Sequence, residues 1–367
     1  MIHLRRFATL TSIVLLFSSA SLSAPQTDGV QRFAEFANFK LRNGSVIQDF
    51  RLGYRTLGKL NAEKSNAVLW PTWLGGKSED LLQFVGPTGK VVDTSQYFVI
   101  LVDAIGNGVS SSPSNSKRQP RMNFPVFSIR DIVESEHRLA TEVLHLSHLR
   151  AVVGLSMGGM QAFEWALAYP DFMDLVVAMA GSPQSTSYDK LLWTAEIGAI
   201  ELDPAWNSGN PTGPLTRGIV LEREIESMRD TSPAYRVAQT APGAFPAFLE
   251  TLRAGAKADG GSASDQIRQR QAILSLDIPG EYGLTLEQAA SRLHAKLLVV
   301  VSPQDHTVNP EPAMKLAASA GTVLVKLDSP CGHQSLACIS VGPTVARFLA
   351  DPTSVHSETL IDPANHQ

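Results

Sequence analysis

Three residues have the types, and stand in the order, that acyl transfer through a covalent intermediate needs: Ser156, Asp305 and His333. A serine hydroxyl is a weak nucleophile until a base takes its proton, and an imidazole serves as that base when an acid fixes its tautomer. Ser156 sits in Gly154-Leu155-Ser156-Met157-Gly158, between an apolar run and a helical pattern. G-x-S-x-G in a strand–turn–helix context marks a turn so sharp that a side chain at either glycine would clash, and it lifts the hydroxyl above a sheet edge. The Met157 N–H then opens a helix, where the macrodipole favours a developing oxyanion. Asp305 follows the apolar run 295–302, and acids at the carboxyl ends of sheet strands are where ligand chemistry collects in open α/β folds. His333 follows the run 321–328, and Gly332 permits a tight loop that returns the imidazole over the sheet. Asp328 is the rival acid, ranked lower because it ends the run directly before the base's loop. His306, beside Asp305, reads as a loop residue.

The elements that must position these residues follow from hydrophobic patterning. Apolar runs of strand length at 66–73, 97–104, 149–154, 174–181, 295–302 and 321–328 alternate with helical patterns, such as Ile132, Leu139, Val143 and Leu146 on one stripe. Continuous apolar strands separated by helices imply a mostly parallel sheet covered on both faces. Ahead of them, short alternating stretches flank Asn43-Gly44, a hairpin signal expected to supply antiparallel strands at one edge. From 182 to 292 the pattern turns helical and irregular, which reads as an inserted cap. The core is then 24–181 plus 293–350, and 351–367 reads as a flexible tail. A second oxyanion donor is expected from the loop after 66–73, which continues "LGGKSED": the N–H of Leu74 or Trp73, with Gly75 and Gly76 allowing close approach.

The chain has 367 residues, a net charge of −4 and no dense Lys/Arg run, so the electrostatic footprint of a nucleic-acid binder is missing. Arg5 and Arg6 precede the uncharged stretch 7–23, with Ser21 and Ser23 placed for cleavage before Ala24. Residues 1–23 therefore read as a signal peptide, and the mature protein as exported to the periplasm or secreted. In such a compartment the two cysteines, Cys331 and Cys338, which flank His333, are able to pair. No metal-binding or phosphate-loop motif occurs, and acyl transfer by serine calls for no cofactor.

"GLSMGGMQAFEWALAYPD" at 154–171 resembles the elbow of the homoserine O-acetyltransferase family within the α/β-hydrolase superfamily. "NAVLWPTWLGG", "NFPVFSIRDIV", "AIELDPAWNSGN" and the Asp305 and His333 loops agree in order, so the resemblance spans most of the chain. It implies an α/β-hydrolase fold, the triad Ser156, Asp305 and His333, an oxyanion hole from the N–H groups of Met157 and Leu74, and a homodimer. The chain departs from the family at Thr72-Trp73-Leu74-Gly75-Gly76 and at His333-Gln334. Arg217 and Arg223 are the candidates for the arginine that holds homoserine's carboxylate. The resulting expectation is an exported esterase acting on a small ester, with O-acyl transfer as the alternative. A non-catalytic binding protein would be expected to lack a triad member.

Overall fold

The computed structural model describes residues 28–362, so the predicted signal peptide lies outside the described residues. Nine strands form one sheet: β1 (Arg32–Glu35), β2 (Arg51–Leu57), β3 (Ala67–Pro71), β4 (Phe98–Val102), β5 (Leu149–Leu155), β6 (Met173–Met179), β7 (Lys296–Val301), β8 (Val323–Asp328) and β9 (Glu358–Ile361). Their order is β1-β2-β4-β3-β5-β6-β7-β8-β9. β1, β2 and β4 pair antiparallel, and every other pairing is parallel.

The central strands are apolar throughout because both faces are covered. Leu69, Ile100, Val152, Val176 and Val299 enter one core, with α1 (Ile129–Arg138), α2 (Met157–Ala168) and the later helix α8 (Glu311–Ala320). Val68, Leu101, Val153, Val177 and Leu298 point the other way, against α9 (Gly342–Ala350). The period-2 alternation of a pleated strand thus splits each run between two cores. α1 is fixed at its start by a reciprocal capping box between Ser128 and Asp131.

Between β6 and β7 lie α3 (Ser187–Glu201), α4 (Arg217–Arg229), α5 (Pro233–Gln239), α6 (Phe245–Arg253) and α7 (Gly260–Leu274). Residues of α3, α4 and α7, including Ile197, Ile200, Ile219 and Ile267, share a small core of their own. The short helices that follow, Ile278–Glu281 and Leu286–Ala290, pack Ile278, Leu286 and Ala289 into the main core instead.

Two expectations need correction. The Asn43-Gly44 hairpin joins Asn38–Lys40 to Val46–Gln48 in a separate two-stranded sheet. Its Phe39 and Ile47 are buried in the core, and Asp49, at φ 50°, turns the chain before β2, so β1 and β2 make the antiparallel edge. The tail is ordered through Asp362. Val355 is buried in the second core, β9 pairs with β8, and the buried Asp362 carboxylate accepts the Ser329 hydroxyl at 2.7 Å.

Candidate active site

β5 ends at Leu155 and α2 begins at Met157, so Ser156 alone makes the turn, at φ 58° and ψ −122°. A non-glycine residue in that region is strained and persists when its surroundings over-determine it. Here they do. A Cβ on Gly154 would lie 2.0 Å from the Gly158 carbonyl oxygen, and one on Gly158 would lie 2.7 Å from that of Pro71. The Ser156 N–H donates to the Met179 carbonyl of β6 at 2.9 Å. Helix, strand and nucleophile therefore have one arrangement.

Asp305 and His333 converge on that serine from the loops after β7 and β8. The Asp305 carboxylate accepts the N–H groups of Thr307 and Val308 on Oδ1, at 2.8 and 2.9 Å. Its Oδ2 lies 2.7 Å from His333 Nδ1, and His333 Nε2 lies 2.9 Å from Ser156 Oγ. With Nδ1 donating to the carboxylate, Nε2 is left as the acceptor for the serine proton. The Asp305 side chain is only 2% exposed, whereas that of His333 is 11% exposed, toward the cavity. Asp328 is exposed at the end of β8, where its backbone carbonyl accepts the Asp362 N–H, and His306 takes no part in the chain of contacts. Cys331 and Cys338 are joined by a disulfide that brackets His333. Asp362 lies near both sulfurs, but they are taken up by that bond.

The loop after β3 passes beside the nucleophile. Thr72 N–H donates to Val102, Gly75 N–H to the Gln269 side chain, and Gly76 N–H to Trp73. The N–H groups of Trp73 and Leu74 are the ones these contacts leave over, and both residues line the cavity with Ser156. Met157 heads α2, whose first N–H groups have no partner within the helix. Two glutamines hold these pieces in register. The buried Gln161 amide donates to both Thr72 and Met157 carbonyls, at 3.0 Å each. Gln269 of α7 accepts from Gly75 at 2.8 Å and donates to the Ile105 carbonyl at 3.0 Å. Gln161 lies inside the motif "SMGGMQ", yet its task is invisible without the sheet order that sets β3 beside β5.

The cavity above Ser156 has a volume of about 760 Å³. Trp70, Trp73, Phe84, Met160 and Trp193 give it apolar and aromatic walls, and Arg229 and its neighbours add charge on the side of the inserted helices. Neither arginine expected for a carboxylate is there. Arg217 is exposed at the start of α4, and Arg223 donates to the Ala254 carbonyl and lines a neighbouring cavity that shares Trp73, Leu74 and Glu226 with this one. The helix turns Arg229 inward instead.

A nine-stranded sheet ordered this way, with a serine elbow at its centre, defines the α/β-hydrolase architecture. The family model described as alpha/beta hydrolase fold matches residues 74–336, and the chain belongs to that family. Within it, the chain is 36% identical over 198 residues to an ethyl acetate hydrolase of Pseudomonas veronii, a match covering 53% of this chain and 57% of that one. It is 35% identical over 212 residues to a homoserine O-acetyltransferase of Methanohalobium evestigatum, covering 50% and 41%. In sequence, then, the chain spans about half the length of these relatives. An acetylester hydrolase from Corynebacterium glutamicum superposes with a TM-score of 0.79 at 25% identity, over 89% of this chain and 100% of that one.

Proposed function

We propose that this protein is an exported serine hydrolase that cleaves small esters through an acyl-enzyme. The observation that carries the proposal is the contact chain Ser156 Oγ–His333 Nε2 at 2.9 Å and His333 Nδ1–Asp305 Oδ2 at 2.7 Å, at the wall of a cavity lined by aromatic and charged side chains. Ser156 Oγ attacks the ester carbonyl carbon as His333 takes its proton. The oxyanion is held by the N–H groups of Met157 and Leu74. The carbon–oxygen bond to the alcohol breaks, and His333 returns the proton to the leaving oxygen. Water, deprotonated by His333, then attacks the acyl-enzyme, and Ser156 leaves with the proton. Asp305 keeps Nε2 basic and stabilises the imidazolium without itself taking the proton. The ethyl acetate hydrolase and acetylester hydrolase relatives support water as the acceptor. Export rests on the pattern of residues 1–23.

The likeness to homoserine O-acetyltransferases favours a second reading, in which an alcohol replaces water. The mature protein is incubated with 4-nitrophenyl acetate and ethyl acetate, and separately with acetyl-CoA plus homoserine. Rapid ester turnover without O-acetylhomoserine is the expected result, and efficient transfer to homoserine would overturn the hydrolase assignment. Ser156→Ala is expected to lose several orders of magnitude in kcat/KM. Near wild-type turnover by that variant would refute the mechanism.

A further inference from the structure

Two cationic side chains stand in the cavity wall, Lys90 and Arg229; Arg229 lies at the end of α4, and every nitrogen of its guanidinium is already engaged. Nε pairs with Glu196, Nη1 donates to Asp230 at 2.6 Å and to Thr307 at 3.1 Å, and Nη2 reaches Glu226 at 3.4 Å. The ring of Trp193 covers the guanidinium carbon at 4.9 Å. Behind it, Arg270 bridges Glu196, at 2.6 Å, and Glu222. The two guanidiniums thus face four carboxylates, Glu196, Glu222, Glu226 and Asp230. Arg229, Arg270, Glu196 and Glu222 are almost wholly withdrawn from water, whereas Glu226 and Asp230 are partly exposed and line the cavity. Lys90, the remaining cation among the lining residues, is exposed, and its ammonium donates to the Gln83 carbonyl at 2.9 Å.

We infer that this wall is a charge filter: the site takes esters that are uncharged or cationic and rejects esters bearing a carboxylate, with Glu226 and Asp230 as the specificity-determining residues. The inference rests on the ester-hydrolase reading and specifies its substrate class. An arginine recognises a substrate carboxylate by offering free, forked N–H groups. Here that fork is closed by the protein's own acids, and once Glu222, which burial pushes to about 7, and Glu226, raised by the same cause, are ionised, the surplus carboxylates repel a second anion. A substrate carboxylate about 7 Å from one uncompensated carboxylate, at an effective dielectric near 20, is disfavoured by a factor of roughly 50. A cation gains where the anion loses, and the half-buried Trp73 ring in the same wall suits a quaternary ammonium group.

The test uses aryl acetates that carry a neutral, a cationic or an anionic group at one position: 3-tert-butylphenyl acetate, 3-acetoxy-N,N,N-trimethylanilinium and 3-acetoxybenzoate. All form the same acetyl-enzyme, so kcat/KM, measured at pH 8.5 and low ionic strength, corrected for spontaneous hydrolysis and compared with a line drawn through uncharged phenyl acetates of varied leaving-phenol acidity, reports the effect of charge on entry and acylation. The cationic ester is expected to lie on or above the line of the uncharged esters, and the benzoate to fall more than about tenfold below it. Glu226→Gln keeps the shape of the side chain and should narrow the neutral-to-anionic ratio several-fold. A benzoate turned over as fast as the neutral ester would overturn the inference, as would an unchanged ratio in Glu226→Gln. If none of the three nor 4-nitrophenyl acetate is hydrolysed, the hydrolase reading falls together with the filter that depends on it.

Discussion

The two oxygens of Asp305 have different partners, and that asymmetry makes its replacement predictable. Oδ1 is held by the N–H groups of Thr307 and Val308, and Oδ2 faces His333 Nδ1. In Asp305→Asn the amide oxygen must stay with the two backbone donors, because the amide nitrogen cannot accept from them. The NH2 group then points at His333 Nδ1, which must become an acceptor, and the ring proton moves to Nε2. That tautomer cannot take the proton of Ser156. A loss in kcat on the order of 10³–10⁴ is expected, with a melting temperature close to wild type. Steady-state kinetics on 4-nitrophenyl acetate alongside a thermal melt decide it: a variant within tenfold of wild type would remove Asp305 from the triad. The candidate triad was legible in the sequence because each member carries a local mark, the elbow glycines around Ser156 and a position just past an apolar run for Asp305 and His333. Gln161, Gln269 and Arg229 carry no such mark. Their partners lie far along the chain, and the register that joins them exists only once α2 and the inserted helices have packed.

At the scale of elements, the loop between β8 and α9 must hold an imidazole within 2.9 Å of a serine in the turn after β5. Little regular structure helps it. Gly332 turns at φ 61°, one helical turn follows over Ser335–Cys338, and the Cys331–Cys338 disulfide closes the whole into a ring. Side contacts anchor the ring: Ser329 Oγ donates to Asp362 at 2.7 Å, and the Ser232 N–H of the inserted region donates to the Pro330 carbonyl at 3.0 Å. Removing the crosslink in a Cys331→Ser, Cys338→Ser double variant should cost about 2–3 kcal/mol, the chain-entropy value for a loop this short. That amounts to a fall of a few degrees in Tm. Because the loosened group is the base, kcat should fall more than KM rises. Unchanged Tm and kcat in the double variant would show that the loop is held by its hydrogen bonds alone. The strand β8 beneath it was readable as a continuous apolar run. β9, which secures Asp362, was not: Glu358–Ile361 is four residues long and none of them is fully buried, so no hydrophobic pattern announces it.

At the scale of the whole molecule, acids placed in the interior give the fold a pH dependence opposite to that of ordinary surface carboxylates. Burial pushes Glu136, beneath Trp165, to about 8, although the indole N–H donates to it at 2.7 Å. Burial likewise pushes Glu164, Glu222 and Asp265 each to about 7, against the pull of Arg130 on the first, Arg270 on the second and the Ser114 N–H and hydroxyl on the third. In the unfolded chain these groups return to ordinary values near 4.5 for Glu and 3.8 for Asp. Between those values and about 8 the folded chain holds protons that the unfolded chain has released, so stability falls as pH rises through the window. The contribution is whole below the unfolded values and lost above the folded ones. Glu287, held near 2 at the surface, titrates below the window and does not offset the trend. Thermal melts at pH 5.5, 7.0 and 8.5 should therefore show Tm falling by several degrees, most of it between pH 5.5 and 7.0, where all four groups keep protons that the unfolded chain has lost. Glu136→Gln removes the group that titrates last, so its Tm should fall less than that of wild type between pH 7.0 and 8.5. A wild-type Tm that is flat or rises over this range would mean that the buried carboxylates are ionised in the folded protein, with partners or water that offset their desolvation. A steep fall retained in Glu136→Gln would place the effect on Glu164, Glu222 and Asp265 instead.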